Sequence, residues 1–146
     1  MDDIKRILIA TDGSENTRDA IERGLQLAKL LEAKVTALFV VDQATFSSIP
    51  SDSTVIFSVH GIMEKEGRKA VEDVKALGEQ MGVEVVTSVV EGSPVNKILE
   101  AAADHDLIVM GTLGRGAISK LFMGSVAERV TRFAPCPVLV VRSGKG

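Results

Sequence analysis

The chain has no tryptophan, no tyrosine and a single cysteine, and its aromatic content is only 3%. Each scarcity removes a class of function. Without aromatic faces there is no stacking platform for single-stranded nucleic acid. Cys136 alone cannot close an internal disulfide, so a reducing compartment is expected. His60 and His105 stand isolated, with no partners at metal-ligand spacing, and do not make a zinc site. Each reads as an ordinary surface residue, His105 at best pairing with its neighbours Asp104 and Asp106. Positive charge is also in deficit: 17 Lys and Arg against 20 Asp and Glu leave a net charge of −3. That balance opposes binding to nucleic acid or to an anionic membrane surface. Charges interrupt every apolar stretch before it reaches the length of a membrane span. The opening Met1-Asp2-Asp3 is the reverse of a basic secretion signal, and the expected location is cytoplasmic.

What is present is 45% hydrophobic, drawn from Val, Leu, Ile, Ala and Met, in a chain of 146 residues. That suffices for one domain, residues 1–146, with its own core. Five segments rich in β-branched residues read as strands: residues 4–10 (IKRILIA), 34–41 (KVTALFVV), 83–90 (VEVVTSVV), 106–110 (DLIVM) and 137–142 (PVLVVR). Nearly continuous apolar runs suit strands covered on both faces. Helical spacing fills the intervals at residues 15–32, 62–81, 96–103 and 125–133. The third of these helices opens behind Ser93-Pro94, a helix-start signal. Strand and helix in alternation predict an α/β fold: a doubly wound, five-stranded parallel sheet with helices on both faces, for which the order 3-2-1-4-5 is taken. Residues 42–60 are long for a connection, and residues 54–59 fit a strand, a helix start or a flap.

Two clusters carry the candidate chemistry. After the fourth strand comes Met110-Gly111-Thr112-Leu113-Gly114-Arg115-Gly116, followed by Gly124-Ser125-Val126. Glycines permit close backbone approach to a ligand, and several N–H groups can converge on one phosphate chain. Ser125 stands where the last helix begins, the end that carries positive partial charge. Arg115 offers a cation. A glycine loop with no ligand fits the same residues. After the first strand comes Ala10-Thr11-Asp12-Gly13-Ser14. Asp12 there suits a ribose hydroxyl or a metal, or simply the capping of the first helix, a task Ser14 also fits; the residues alone favour the cap. Neither a G-x-x-x-x-G-K-[ST] loop nor a G-x-G-x-x-G turn after the first strand occurs. Cys136, boxed between Pro135 and Pro137, reads as a small buried apolar residue.

Gly111, Gly114, Gly124 and Ser125 fit the pattern G-x2-G-x9-G-[ST], and in this the chain resembles the ATP-binding universal stress proteins. Residues 7–14, Val40-Val41-Asp42, residues 106–115 and the closing Cys136-Pro137-Val138-Leu139-Val140-Val141 resemble that family too, in order and over nearly the whole chain. The resemblance implies ATP as ligand, and Mg2+ is expected with it because the triphosphate's charge exceeds what Arg115 alone offsets. Ala10, Thr11 and Asp12 would line the adenosine, and Val40 would meet adenine through its backbone. Met110, Gly111, Gly114, Arg115, Gly116, Gly124, Ser125 and Val126 would surround ribose and phosphates, with Asp12 near the ribose; a direct or water-mediated approach of Asp12 to the metal is a separate expectation from its carboxylate. Leu113 departs from the family, where a polar or basic residue is common. The implied role is a dimeric stress-response nucleotide binder with little turnover. A slow ATPase or phosphotransfer enzyme in the same pocket and a ligand-free scaffold are the alternatives. The apolar edge strand at residues 137–142, from Pro137 to Arg142, is the expected homodimer seam.

Overall fold

A computed structural model describes residues 3–50, 54–113 and 123–143. Five strands form one sheet: β1 (Arg6–Ala10), β2 (Lys34–Asp42), β3 (Val85–Gly92), β4 (Leu107–Gly111) and β5 (Val138–Val141). Their order is β3-β2-β1-β4-β5 and every pairing is parallel, the expected topology. Ile7 of β1 lies between Val35 of β2 and Leu107 of β4. The helices are α1 (Arg18–Leu31), α2 (Thr54–Met81), α3 (Pro94–Ala102) and α4 (Ser125–Phe133), with short 3-10 turns at Glu15–Thr17 and Gln43–Phe46.

Side chains alternate across the pleat, so each strand feeds two cores. On one face Ile7, Ile9, Val35, Phe39 and Val109 meet Leu25 of α1 and Val71 and Val74 of α2. On the other, Leu8, Leu38, Ile108 and Met110 meet Val95 and Ile98 of α3 and Val130 of α4. Ile7, Leu8 and Ile9 are all fully buried. Burial of each such side chain stabilises the fold by about 1.5–3 kcal/mol.

The expected boundaries shift for local reasons. Residues 54–59 are helix, because Ile56, Val59 and Met63 recur at helical spacing and pack against the first core. β3 starts at Val85 and runs on to Gly92 because its ladder with β2 reaches Asp42 opposite Gly92. β4 starts one residue late: Asp106 turns its carboxylate back to accept the N–H groups of Lys5 (3.0 Å) and Arg6 (2.9 Å). Those bonds, aided by the charges of Arg6 and His105, hold the Asp106 carboxyl below the usual carboxylate range.

The reading of both histidines as ordinary surface residues is corrected. His105 is half-buried: Nδ1 lies 2.8 Å from the Ala101 carbonyl oxygen and Nε2 lies 2.8 Å from the Thr36 hydroxyl. It pins the end of α3 to β2. His60 stacks on Phe46 with ring centroids 3.9 Å apart, and its Nδ1 lies 3.1 Å from the Glu91 carboxylate. It fastens the start of α2 to the 3-10 turn after β2 and to the end of β3.

α2 approaches the sheet closely through glycine. A Cβ on Gly67 would lie 2.6 Å from the Phe39 ring, and one on Gly78 would lie 2.5 Å from Val85. Phe39 is 2% exposed and has no room to yield. Gly67→Ala therefore sets an overpacking cost of about 1–3 kcal/mol against a helix-propensity gain of about 1 kcal/mol. The expected outcome in urea denaturation is a net loss of stability; a more stable Gly67→Ala protein would contradict this packing.

Candidate functional site

Strand order reverses between β1 and β4. β1 runs into α1 on one face of the sheet, and β4 leads to α4 on the other. The chain parts beyond the carboxyl ends of these strands, where open α/β sheets place ligands.

Residues 10–17 form one wall of this crevice. Ala10 is buried in the second core. The Thr11 N–H donates to the Leu38 carbonyl at 3.0 Å, extending the ladder beyond β1. The Thr11 and Thr17 hydroxyls, both buried, lie 3.1 Å apart, and the Thr17 hydroxyl also donates to the Ser14 carbonyl at 2.9 Å. Thr17 was not singled out in the sequence; its signal was a second threonine six positions after Thr11, at the helix entrance. Asp12 is half-buried, and its Oδ1 accepts the Ser14 N–H at 2.9 Å and the Ser14 hydroxyl at 2.6 Å. Gly13 supplies the φ of 81° that this tight turn requires. The capping expectation is thereby corrected. Ser14 begins the 3-10 turn without a side-chain cap, because its hydroxyl goes to Asp12. Asp12 shapes the turn ahead of the helix.

The opposite wall is the end of β4 and the start of α4. Gly111 is buried, and a Cβ there would lie 3.1 Å from the Asn16 carbonyl oxygen and 3.7 Å from the Thr17 Cα. Its contact is thus with the chain's own 3-10 turn, which joins the two walls. Met110 is buried in the second core, and Leu113 is buried as well, which gives its apolar character a packing role. The Thr112 N–H donates to Val141, and the Thr112 carbonyl accepts the Gly124 N–H at 2.6 Å. That bond docks the N-terminus of α4 against the end of β4. Gly124 is the N-cap residue of α4 at φ −66°, ψ 161°, an extended conformation open to any residue. Exposed Ser125 opens the helix, and Val126 packs on the second core. The first-turn N–H groups and the helix dipole therefore face the β4 end, a setting that favours an anion. Gly114, Arg115 and Gly116 lie outside the described residues.

Val40, half-buried beside Val90 near the end of β2, lies at the same end of the sheet. Among the described residues no group of three or more His, Cys, Asp or Glu is placed to hold a metal ion. A Mg2+ ion carried on a polyphosphate needs only one or two protein carboxylates, and Asp12 suits that donor set. Cys136 is half-buried against the second core, and burial together with the Asp106 carboxylate pushes its thiol pKa up. Both features agree with an apolar role. An open groove of about 430 Å3 between α1 and α2 shares Thr11, Gly13, Ser14 and Thr17 with the wall at residues 10–17 and continues along Ile21, Val74 and Leu77, on the face away from α4.

These features define an open, doubly wound α/β protein with a crevice at its switch point and a helix N-terminus at the crevice wall. The chain belongs to the universal stress protein family, whose model matches residues 3–142. It is 40% identical over 143 residues to universal stress protein MJ0531 of Methanocaldococcus jannaschii, covering 97% of this chain and 84% of that relative. Among solved structures, hypothetical protein MJ0577, the subject of a structure-based assignment of biochemical function, superposes with a TM-score of 0.83 at 28% identity, covering 99% of this chain and 100% of that one. Two more distant structures share the fold. A universal stress protein in complex with cAMP has a TM-score of 0.69 at 22% identity, covering 98% and 100% of the two chains. The Archaeoglobus fulgidus protein in complex with dAMP has a TM-score of 0.66 at 18% identity, covering 97% and 100%.

The two glycines of this site should behave differently on substitution. Gly111→Val forces a branched side chain against the backbone at Asn16 and should cost about 1–3 kcal/mol. Gly124→Ala keeps an allowed backbone and should stay within about 1 kcal/mol of the unmodified protein. Urea denaturation of both variants checks this; a larger loss at Gly124 than at Gly111 would invert the assignment.

Proposed function

We propose that this protein is a nucleotide-holding regulator that binds ATP with Mg2+ in the crevice between β1 and β4. The observation that carries the reading is the Gly124–Thr112 hydrogen bond, which sets the positive end of α4 at the end of β4, joined through Gly111 to the turn that Asp12 shapes. Ala10, Thr11 and Asp12 line the adenosine, and the backbone at Val40 reads the adenine edge. Gly111, Gly114, Arg115, Gly116, Gly124, Ser125 and Val126 surround ribose and phosphates, with Met110 anchoring the strand end. Bound Mg2+ supplies charge neutralisation that one arginine cannot provide for a triphosphate. Asp12 is the carboxylate closest in role to a metal ligand. The cAMP and dAMP complexes of two proteins with this fold support an adenine nucleotide as the ligand class.

Titration calorimetry tests the reading. ATP is expected to bind at least tenfold tighter than GTP, and a chelator is expected to weaken ATP binding. Gly124→Val is expected to abolish binding while circular dichroism stays unchanged, because the backbone at φ −66° accepts valine while its side chain blocks the approach of a phosphate. Equal affinity for the two nucleotides, or full affinity in a folded Gly124→Val protein, contradicts the proposal.

The same reading includes a homodimer. Among the described residues β5 pairs with β4 alone, and Val138 to Val141 are all half-exposed. An apolar edge of this kind invites pairing with a second copy about a two-fold axis. The Pro137 and Val141 carbonyls face β4, so the Val140 N–H faces the open edge, and Val140→Pro removes that donor. The unmodified protein is expected to be dimeric by light scattering at low micromolar concentration and folded Val140→Pro monomeric. A dimer that survives the change excludes this edge as the essential seam.

A further inference from the structure

Among the described residues the buried polar side chains are Thr11 and Thr17, 6% and 5% exposed, and they meet at the exit from β1. A buried hydroxyl costs stability unless it is bonded. Replacing both by valine, of the same shape, would remove that cost, so packing alone does not call for hydroxyls here. What they add is a set of directed bonds.

The directions follow from counting protons. A carbonyl only accepts, so the Thr17 hydroxyl gives its one proton to the Ser14 carbonyl at 2.9 Å. The Thr11 hydroxyl is then the donor across the 3.1 Å between the two threonine oxygens. The Thr11 oxygen in turn accepts the Gly13 N–H at 3.1 Å. The bonds run one way, from the Gly13 N–H through the Thr11 and Thr17 hydroxyls to the Ser14 carbonyl. They grip the peptide after Asp12 and the peptide after Ser14. Between those two peptides the Asp12 carboxylate accepts both the N–H and the hydroxyl of Ser14. Ahead of the turn, the Thr11 N–H is fixed on the Leu38 carbonyl. Behind it, the Thr17 backbone lies against Gly111 of β4.

We propose that Thr17 is a positioning residue for the nucleotide. Its hydroxyl, acting through Thr11 and Ser14, holds the turn so that the Asp12 carboxylate is set for the ribose hydroxyls before the ligand arrives. The inference rests on the nucleotide reading above and adds to it a residue that is itself almost wholly buried. A turn already held in its bound shape loses no freedom when the ligand enters, and affinity is higher for that reason. The effect passes through Asp12, so it belongs to ligands that carry ribose hydroxyls.

Two measurements test the assignment. Amide exchange in the nucleotide-free protein reads the bonds themselves. Thr17→Val keeps the branched shape and removes the hydroxyl, which takes away the acceptor of the Thr11 proton. Exchange at Gly13 is expected to quicken about tenfold, the effect of losing one hydrogen bond, while exchange at Thr11, held on Leu38, stays unchanged. Titration calorimetry reads the positioning. Thr17→Val is expected to weaken ATP about tenfold and to leave 2′,3′-dideoxy-ATP, which lacks the hydroxyls, nearly unchanged. Thr17→Ser, which keeps the hydroxyl, is expected to bind ATP as the unmodified protein does. Circular dichroism checks the fold, and Thr17→Ala removes the same hydroxyl if valine prevents folding. Unchanged exchange at Gly13, equal weakening of the two nucleotides, or ATP binding by Thr17→Ser as weak as that of Thr17→Val overturns the assignment. If the unmodified protein binds no ATP while exchange at Gly13 still responds, the nucleotide reading fails and the positioning role with it, and the chain of bonds stands.

Discussion

An all-parallel sheet exposes two apolar faces and has to be covered on both. Here that requirement is met by sending the chain after β1 to one face and the chain after β4 to the other. Ile7 and Ile9 point to the first face, and Leu8 and Ala10 to the second. The central strand is thus committed to both cores at once. The crevice is a consequence: where adjacent strands lead their connections in opposite directions, the carboxyl ends between them are left to be finished by turns. Close approach secures the arrangement. A Cβ on Gly24 of α1 would lie 2.6 Å from Ile9 Cδ1, so α1 lies directly on β1, and Gly111 lets the turn at Asn16 and Thr17 close over the end of β4.

The two ends of the sheet are finished differently. At the amino end, polar groups are spent on the chain itself: Asp106 takes two backbone N–H groups and His105 bridges α3 to β2. At the carboxyl end, hydrogen bonds shape turns. The Thr11–Thr17 and Asp12–Ser14 contacts hold the exit from β1, and the Thr112–Gly124 bond returns the chain to start α4. That return leaves the first-turn N–H groups of a helix at the end of a strand, the arrangement that suits a phosphate.

The alternation of apolar strands with amphipathic helices was enough to read a doubly wound fold; the order 3-2-1-4-5, which alternation alone does not determine, is the one the pairings show. The start of α2 was not legible. Residues 54–63 are apolar on both sides of the helix, and without a polar face helix and strand look alike. The histidines were misread because their partners, Thr36 for one and Phe46 and Glu91 for the other, are distant in sequence. At the site, the clustering of glycines was plain but their separate duties were not. Gly13 serves a positive φ, Gly111 serves close packing, and Gly124 adopts an angle that requires neither.

Amide chemical-shift mapping locates the nucleotide directly. On titrating isotopically labelled protein with MgATP, shifts are expected at residues 40–42, 110–113 and 124–126 together with 10–14, at the carboxyl end of the sheet around the β1–β4 crevice. Shifts concentrated instead at residues 18–22 and 70–80, along the groove between α1 and α2, would contradict that placement.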